Sequence, residues 1–231
     1  MKTLLKNGML CDGTGAPPVK GDLLLENDRI LRVGAEISEA ADQVIDADGC
    51  LVCPGFIDAH SHNDFFYDRP GAEAFYKPFL QQGITTQVTG NCSFSPFGMA
   101  PDTPYRDKLG GGLFEVLHPG SFADFKARAK GNLYVNLVPL IGQGSVRAGL
   151  AGYNPAPFTE EQIEQELTFV REAMEGGAFG GSLGFMYEPD RYAKEDEILA
   201  FAKEIARYGG ILTVHPRACS AVSAPKALSR W

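Results

Sequence analysis

The chain has 231 residues, 44% hydrophobic and 22% charged, the balance of an ordinary globular protein with one large domain or two small ones. Its formal net charge of −8 argues against nucleic acid or an anionic membrane as a partner, because both select basic surfaces. The opening MKTLLKNGML has too short an apolar run for a secretory leader, and no stretch approaches a membrane span, so a cytoplasmic location is expected.

Residues 1–53 read as short strands and turns. The apolar runs TLLKNGMLCDG, GDLLLENDRILRVG and ADQVIDADGCLVC are cut by Asn-Gly, Asp-Gly and Asn-Asp turn signals, and no helix is predicted. From Pro54 the texture changes to apolar strands alternating with amphipathic helices. FIDAH is a strand, followed by a helix near Glu73 to Gln82 and a strand over TTQVTGN. Ser121, with Asp124 three residues on, predicts a capped helix to Lys130. LYVNLVPLIGQG is the longest apolar run. Thr159 and Gln162 form a capping-box start, and Ile163, Leu167, Val170 and Met174 follow at helical spacing until Gly176-Gly177. FGGSLGF is a strand. The next helix places Ile198, Leu199, Ala202, Ile205 and Ala206 on one face and stops at Gly209-Gly210, before a last strand, ILTVH.

Five strand–helix repeats imply a parallel sheet with right-handed crossovers. The pattern alone fits either part of an eight-unit barrel or an open doubly wound sheet. Residues 1–53 are expected to form one β-segment and 54–231 a second, α/β domain.

Residues able to bind metal or move protons fall at carboxyl ends of strands: His60 and His62 after FIDA, Cys92 after TTQVTGN, Tyr187 after GGSLGF, and His215 ending ILTV. Parallel α/β folds build their sites at that end. On a strand, residues 60 and 62 point the same way, so two imidazoles can reach one metal. Singly, each has a plainer reading: two polar residues at a loop start, a small buried cysteine, a strand-end histidine. Asp64 extends the motif to H-x-H-x-D and either orients a histidine or faces solvent. Cys50 and Cys53 make an isolated C-x-x-C whose side chains face opposite sides of a strand, so packing is expected for them. The five cysteines (Cys11, Cys50, Cys53, Cys92, Cys219) are odd in number and irregularly spaced, which is no disulfide framework. Glu160, Glu161, Glu164 and Glu166 are expected to form a solvated face at a helix start. His118 is a lone loop histidine.

Taken together, these motifs resemble the amidohydrolase superfamily, and within it the N-acyl-D-amino-acid deacylase (D-aminoacylase) branch. VCPGFIDAHSHND is similar to the first barrel strand with its His-x-His, GITTQVTGNCSFSP to the segment supplying a metal-binding cysteine, and GGILTVHPR to the strand supplying a third histidine. LVPLIGQGSVR is similar to the third-strand segment, with Gln143 where the family usually has histidine. GGSLGFMYEP resembles the segment whose tyrosine contacts the substrate carboxylate, and the opening residues resemble the family's N-terminal β-segment.

The resemblance implies an α/β fold: a partial TIM (β/α)8-type barrel, about five of eight units, preceded by a small N-terminal β-segment. It implies Zn2+, one ion tightly bound and a second weaker site, with His60, His62, Cys92 and His215 as ligands and Tyr187 on the substrate. The substrate it implies is a small molecule, an N-acyl-D-amino acid. The general-base aspartate and the remaining substrate ligands are expected beyond residue 231, since Pro216 to Trp231 hold no histidine, aspartate or glutamate. The chain therefore reads as an N-terminal part of a deacylase, truncated or frame-disrupted near SAPKALSRW, poorly stable and with little activity alone. The alternatives are a cyclic-amide hydrolase of the dihydroorotase or hydantoinase kind and a non-catalytic zinc-binding fragment. The first wants a lysine at the end of the fourth strand, which GGSLGFMYEP lacks. The sequence leaves the oligomeric state open.

Overall fold

A computed structural model describes residues 1–109 and 114–218. Cys219 and SAPKALSRW lie outside the described residues. The chain divides into two compact units, the first Met1–Gly55 and the second beginning at Phe56.

The first unit is a five-stranded sheet built on β1 (Lys2–Leu10). This strand pairs antiparallel with β2 (Val19–Glu26) and parallel with β4 (Gln43–Asp46) and β5 (Leu51–Val52), and β3 (Arg29–Gly34) completes a hairpin with β2. Asn27, in the hairpin turn, takes the left-handed conformation that Asn tolerates best after Gly. Leu4, Leu24 and Ile37 form a small core. The packing expected of Cys50 and Cys53 is not found, because both are exposed. They flank β5, which is only two residues long and whose Leu51 is itself exposed.

In the second unit five parallel strands follow in order: β6 (Phe56–Asp58), β7 (Ile84–Thr89), β8 (Asn136–Gly142), β9 (Gly180–Gly184) and β10 (Ile211–His215). The helices between them are α1 (Ala72–Gln81), α2 (Phe122–Ala129), α3 (Gln143–Ala151), α4 (Glu160–Gly176) and α5 (Glu195–Arg207). Each strand pairs with the next in sequence, so every crossover steps the same way. A doubly wound sheet must reverse that direction at its switch point. This strand order therefore selects the curled half-barrel over the open sheet.

The helix starts follow the local chemistry. Ser121 and Thr159 each close a reciprocal capping box, with Asp124 and Gln162, and α4 ends on left-handed Gly177. Val170, Ala173, Met174, Leu183, Ile198, Phe201 and Ile205 share the main core with Phe97, Phe122 and Phe125. The expected apolar face of α5 is rotated. Leu199 and Ala206 are exposed, whereas Phe201 is buried, together with Glu197 and Glu204. Helix α3 is absent from the sequence reading. Its residues from Gln143 to Gly149 are all buried, so no polar stripe marks it.

Candidate metal centre

The two histidines converge by a loop, not by strand alternation. β6 ends at Asp58, whose side chain accepts the His60 backbone N–H at 3.2 Å. The Ser61 N–H still reaches the Val88 carbonyl at 2.9 Å, which holds the loop against β7. The imidazoles meet edge-to-face with ring centres 5.5 Å apart.

Cys92 lies between them and β10. Its Sγ is 3.3 Å from His60 Nε2 and 3.5 Å from His215 Nδ1. Ligand atoms of His60, His62 and Cys92 all lie within 4.8 Å of one another. Around a tetrahedral zinc with bonds of ~2.0–2.3 Å, neighbouring ligand atoms sit roughly 3.4–3.7 Å apart. The sulfur-to-nitrogen distances have that spacing. His62 Nδ1 is buried without a hydrogen-bond partner. Burial, and secondarily the charge of His60, holds the His62 pKa at about 4, so its ring is neutral near pH 7 and its lone pair is available. The donor set fits a soft-to-borderline divalent metal.

The Tyr187 hydroxyl lies 3.2 Å from His215 Nδ1, the same nitrogen that faces Cys92. Aromatic rings complete the wall: Phe114 packs on His62 at 4.7 Å, Phe94 stacks on Phe114, and Phe94 tilts against Tyr187. All five residues singled out from the sequence thus fall in one cluster: His60, His62, Cys92, Tyr187 and His215.

A second polar group is buried in this unit. Arg147, 1% exposed, donates from one guanidinium nitrogen to both Glu197 oxygens at 2.6 and 2.5 Å, and its guanidinium stacks on Phe158. Gln143 Nε2 reaches Glu197 at 3.4 Å and Glu166 at 3.5 Å. Glu166 therefore does not belong to the solvated acidic face. It is fully buried, its pKa raised well above the usual range by burial and then by Glu197, whereas Glu160, Glu161 and Glu164 are exposed. Asp190, also buried, accepts the Gly184 N–H at 2.5 Å, and burial lifts its pKa to about 6. Asp64 does not face solvent. It is 1% exposed, and burial raises its pKa. Asp64 was marked by H-x-H-x-D, but no spacing rule marks Glu166, Glu197 or Asp190 as buried, because each sits on an otherwise amphipathic or loop segment. The one signal was Gln143, a polar residue closing the longest apolar run.

This arrangement, donors of metal-ligating type at the carboxyl ends of a sequentially wound parallel half-barrel, is that of a partial TIM-type barrel. More narrowly, the chain is a homologue of the D-aminoacylases. It is 33% identical to a D-aminoacylase of Alcaligenes xylosoxydans xylosoxydans over 220 residues, 93% of this chain and 44% of that protein. A crystal structure of D-aminoacylase, described as defining a novel subset of amidohydrolases, superposes with a TM-score of 0.86 at 28% identity, covering 98% of this chain and 47% of that one. The N-acyl-D-glutamate deacylase of Bordetella bronchiseptica, solved with zinc and a phosphonate mimic of the tetrahedral intermediate, superposes at 0.85 with 27% identity, over 98% and 47%. The chain spans about half the length of the relatives it matches. No family model matches it.

Proposed function

We propose that this chain carries the metal-binding half of a zinc-dependent N-acyl-D-amino-acid deacylase. The observation that carries this reading is the Cys92 thiol within 3.5 Å of both His60 and His215. His60, His62, Cys92 and His215 would hold the metal, the last two at the tighter position. Bound there, zinc supplies Lewis-acid polarisation of the acyl oxygen and lowers the pKa of a water. The chain's own residues do the rest of what falls to this half. Neutral His62 offers a lone pair without first losing a proton. The Tyr187 hydroxyl stands at the metal cluster as a donor for the substrate carboxylate. Phe94 and Phe114 give the site an apolar side that excludes water.

The cyclic-amide reading is disfavoured at β9, which ends at Gly184 and is followed by Phe185, with no lysine able to carry CO2. The test is a chimera joining residues 1–216 to the remaining barrel of a D-aminoacylase relative. It is expected to release amine from N-acyl-D-amino acids only with zinc, to spare the L-enantiomers, and to lose activity on Cys92→Ser. A folded, zinc-loaded chimera that opens hydantoins instead, or does neither, contradicts the reading.

A further inference from the structure

The cysteine at the centre of this site sits in backbone that L-residues avoid. Cys92 and Ser93 are both left-handed, with φ of 54° and 73°. Two consecutive non-glycine residues in that region are strained and persist only where the surroundings fix them. One buried hydroxyl anchors this pair to the sheet. Ser182, fully buried at the middle of β9, accepts the Ser93 N–H at 2.9 Å through Oγ, and the same Oγ–H donates to the Gly90 carbonyl. The hydroxyl therefore binds the turn on both sides of Cys92. Strand register puts Ser182 level with Gly142 on β8 and Thr213 on β10. No side chain crowds the turn from β8, since Gly142 lies against the Ser93 carbonyl and a Cβ there would overlap it. Gly184 does the same for the Cys92 carbonyl.

We propose that Ser182 is a positioning residue for the Cys92 thiolate, its hydroxyl holding the Gly90–Ser93 turn in the geometry that aims the sulfur at His60 and His215. This rests on the reading of Cys92 as a metal ligand. The turn's own backbone closes across Cys92 as well, the Phe94 N–H reaching the Asn91 carbonyl at 3.0 Å, while the Ser145 N–H on the Ser93 carbonyl at 3.0 Å and the Gly144 N–H on Ser93 Oγ hold Ser93; Ser182 adds a side-chain anchor from β9 on both sides of the cysteine.

Cobalt(II) titration of the intact chain tests this, read by thiolate-to-cobalt charge-transfer absorption and by dissociation constant. Wild type is expected to show the band and Cys92→Ser to lack it. Ser182→Ala is expected to weaken cobalt binding at least tenfold, the scale of losses around metal ligands, and to shrink the band. Thr103→Val removes a buried hydroxyl that donates to the Gly149 carbonyl away from the turn, and should leave both readings unchanged. The near-isosteric pair Ser182→Thr and Ser182→Val separates hydroxyl from volume, with Thr keeping the affinity that Val loses. That pair also serves where the alanine variant does not fold by circular dichroism. Wild-type affinity and band in Ser182→Ala or Ser182→Val, with Cys92→Ser losing the band, would overturn the positioning role while leaving the ligand reading intact. A band that survives Cys92→Ser overturns the ligand reading and this proposal with it.

Discussion

Asp190 joins the two polar groups of the second unit: it faces the buried acids of α4 and α5 and also holds the Gly184 N–H, at the end of the strand that presses on Cys92. Its pKa of about 6 in the folded chain exceeds the ordinary 3.8, so the folded state holds the proton more tightly than the unfolded one. The associated stability is complete below about 3.8 and is lost as pH rises through about 6. His62 works in the opposite sense, since its folded pKa of about 4 lies below 6.5 and stability falls as pH drops through that range. Asp190→Asn, which keeps an oxygen for Gly184, should raise the urea midpoint relative to wild type progressively from pH 4.5 to 7. A constant offset would show that Asp190 does not titrate in that window. At this scale the sequence disclosed the residues whose types are rare and chemically pointed: three histidines, one cysteine and one tyrosine at strand ends. It hid Glu166, Arg147 and Glu197, because charged residues in amphipathic helices read as solvent-facing until their neighbours are known.

At the scale of elements, close backbone approach governs the site. β9 reads GGSLG, and its glycines accept neighbours where a Cβ would collide: Gly180 against Ile211, Gly181 against Phe201, Gly184 against the Cys92 carbonyl. The strand is thin so that the Cys92 turn can lie across it. Gly184→Ala should destabilise the chain by about 1–3 kcal/mol in urea unfolding, the range for overpacking a filled core, and an unchanged midpoint would contradict the contact. Helices α2 and α4 were legible because their ends carry capping chemistry in four residues of sequence. Helix α3 was not, since it follows β8 without an intervening loop and is buried along most of its length. The same logic explains α5: its period was visible, but the choice between Leu199 and Phe201 as the inward side chain depended on the strands it covers.

Over the whole molecule, the order of strands carried the discrimination that periodicity could not. Sequential pairing from β6 to β10 leaves those two strands as the sheet's edges among the described residues, with Phe56, Ile57, Ile211 and Val214 exposed. Exposed apolar edge strands invite further pairing, in keeping with relatives about twice as long. The proposed metal site is nevertheless local: the loop after β6, the turn after β7 and the end of β10 bring His60, His62, Cys92 and His215 together. X-ray absorption of the zinc-loaded chain at the zinc edge tests it most directly. The expected shell has one sulfur at ~2.3 Å with nitrogens at ~2.0–2.1 Å, the sulfur vanishing in Cys92→Ser. A zinc shell of nitrogen and oxygen only in the wild-type chain would contradict it.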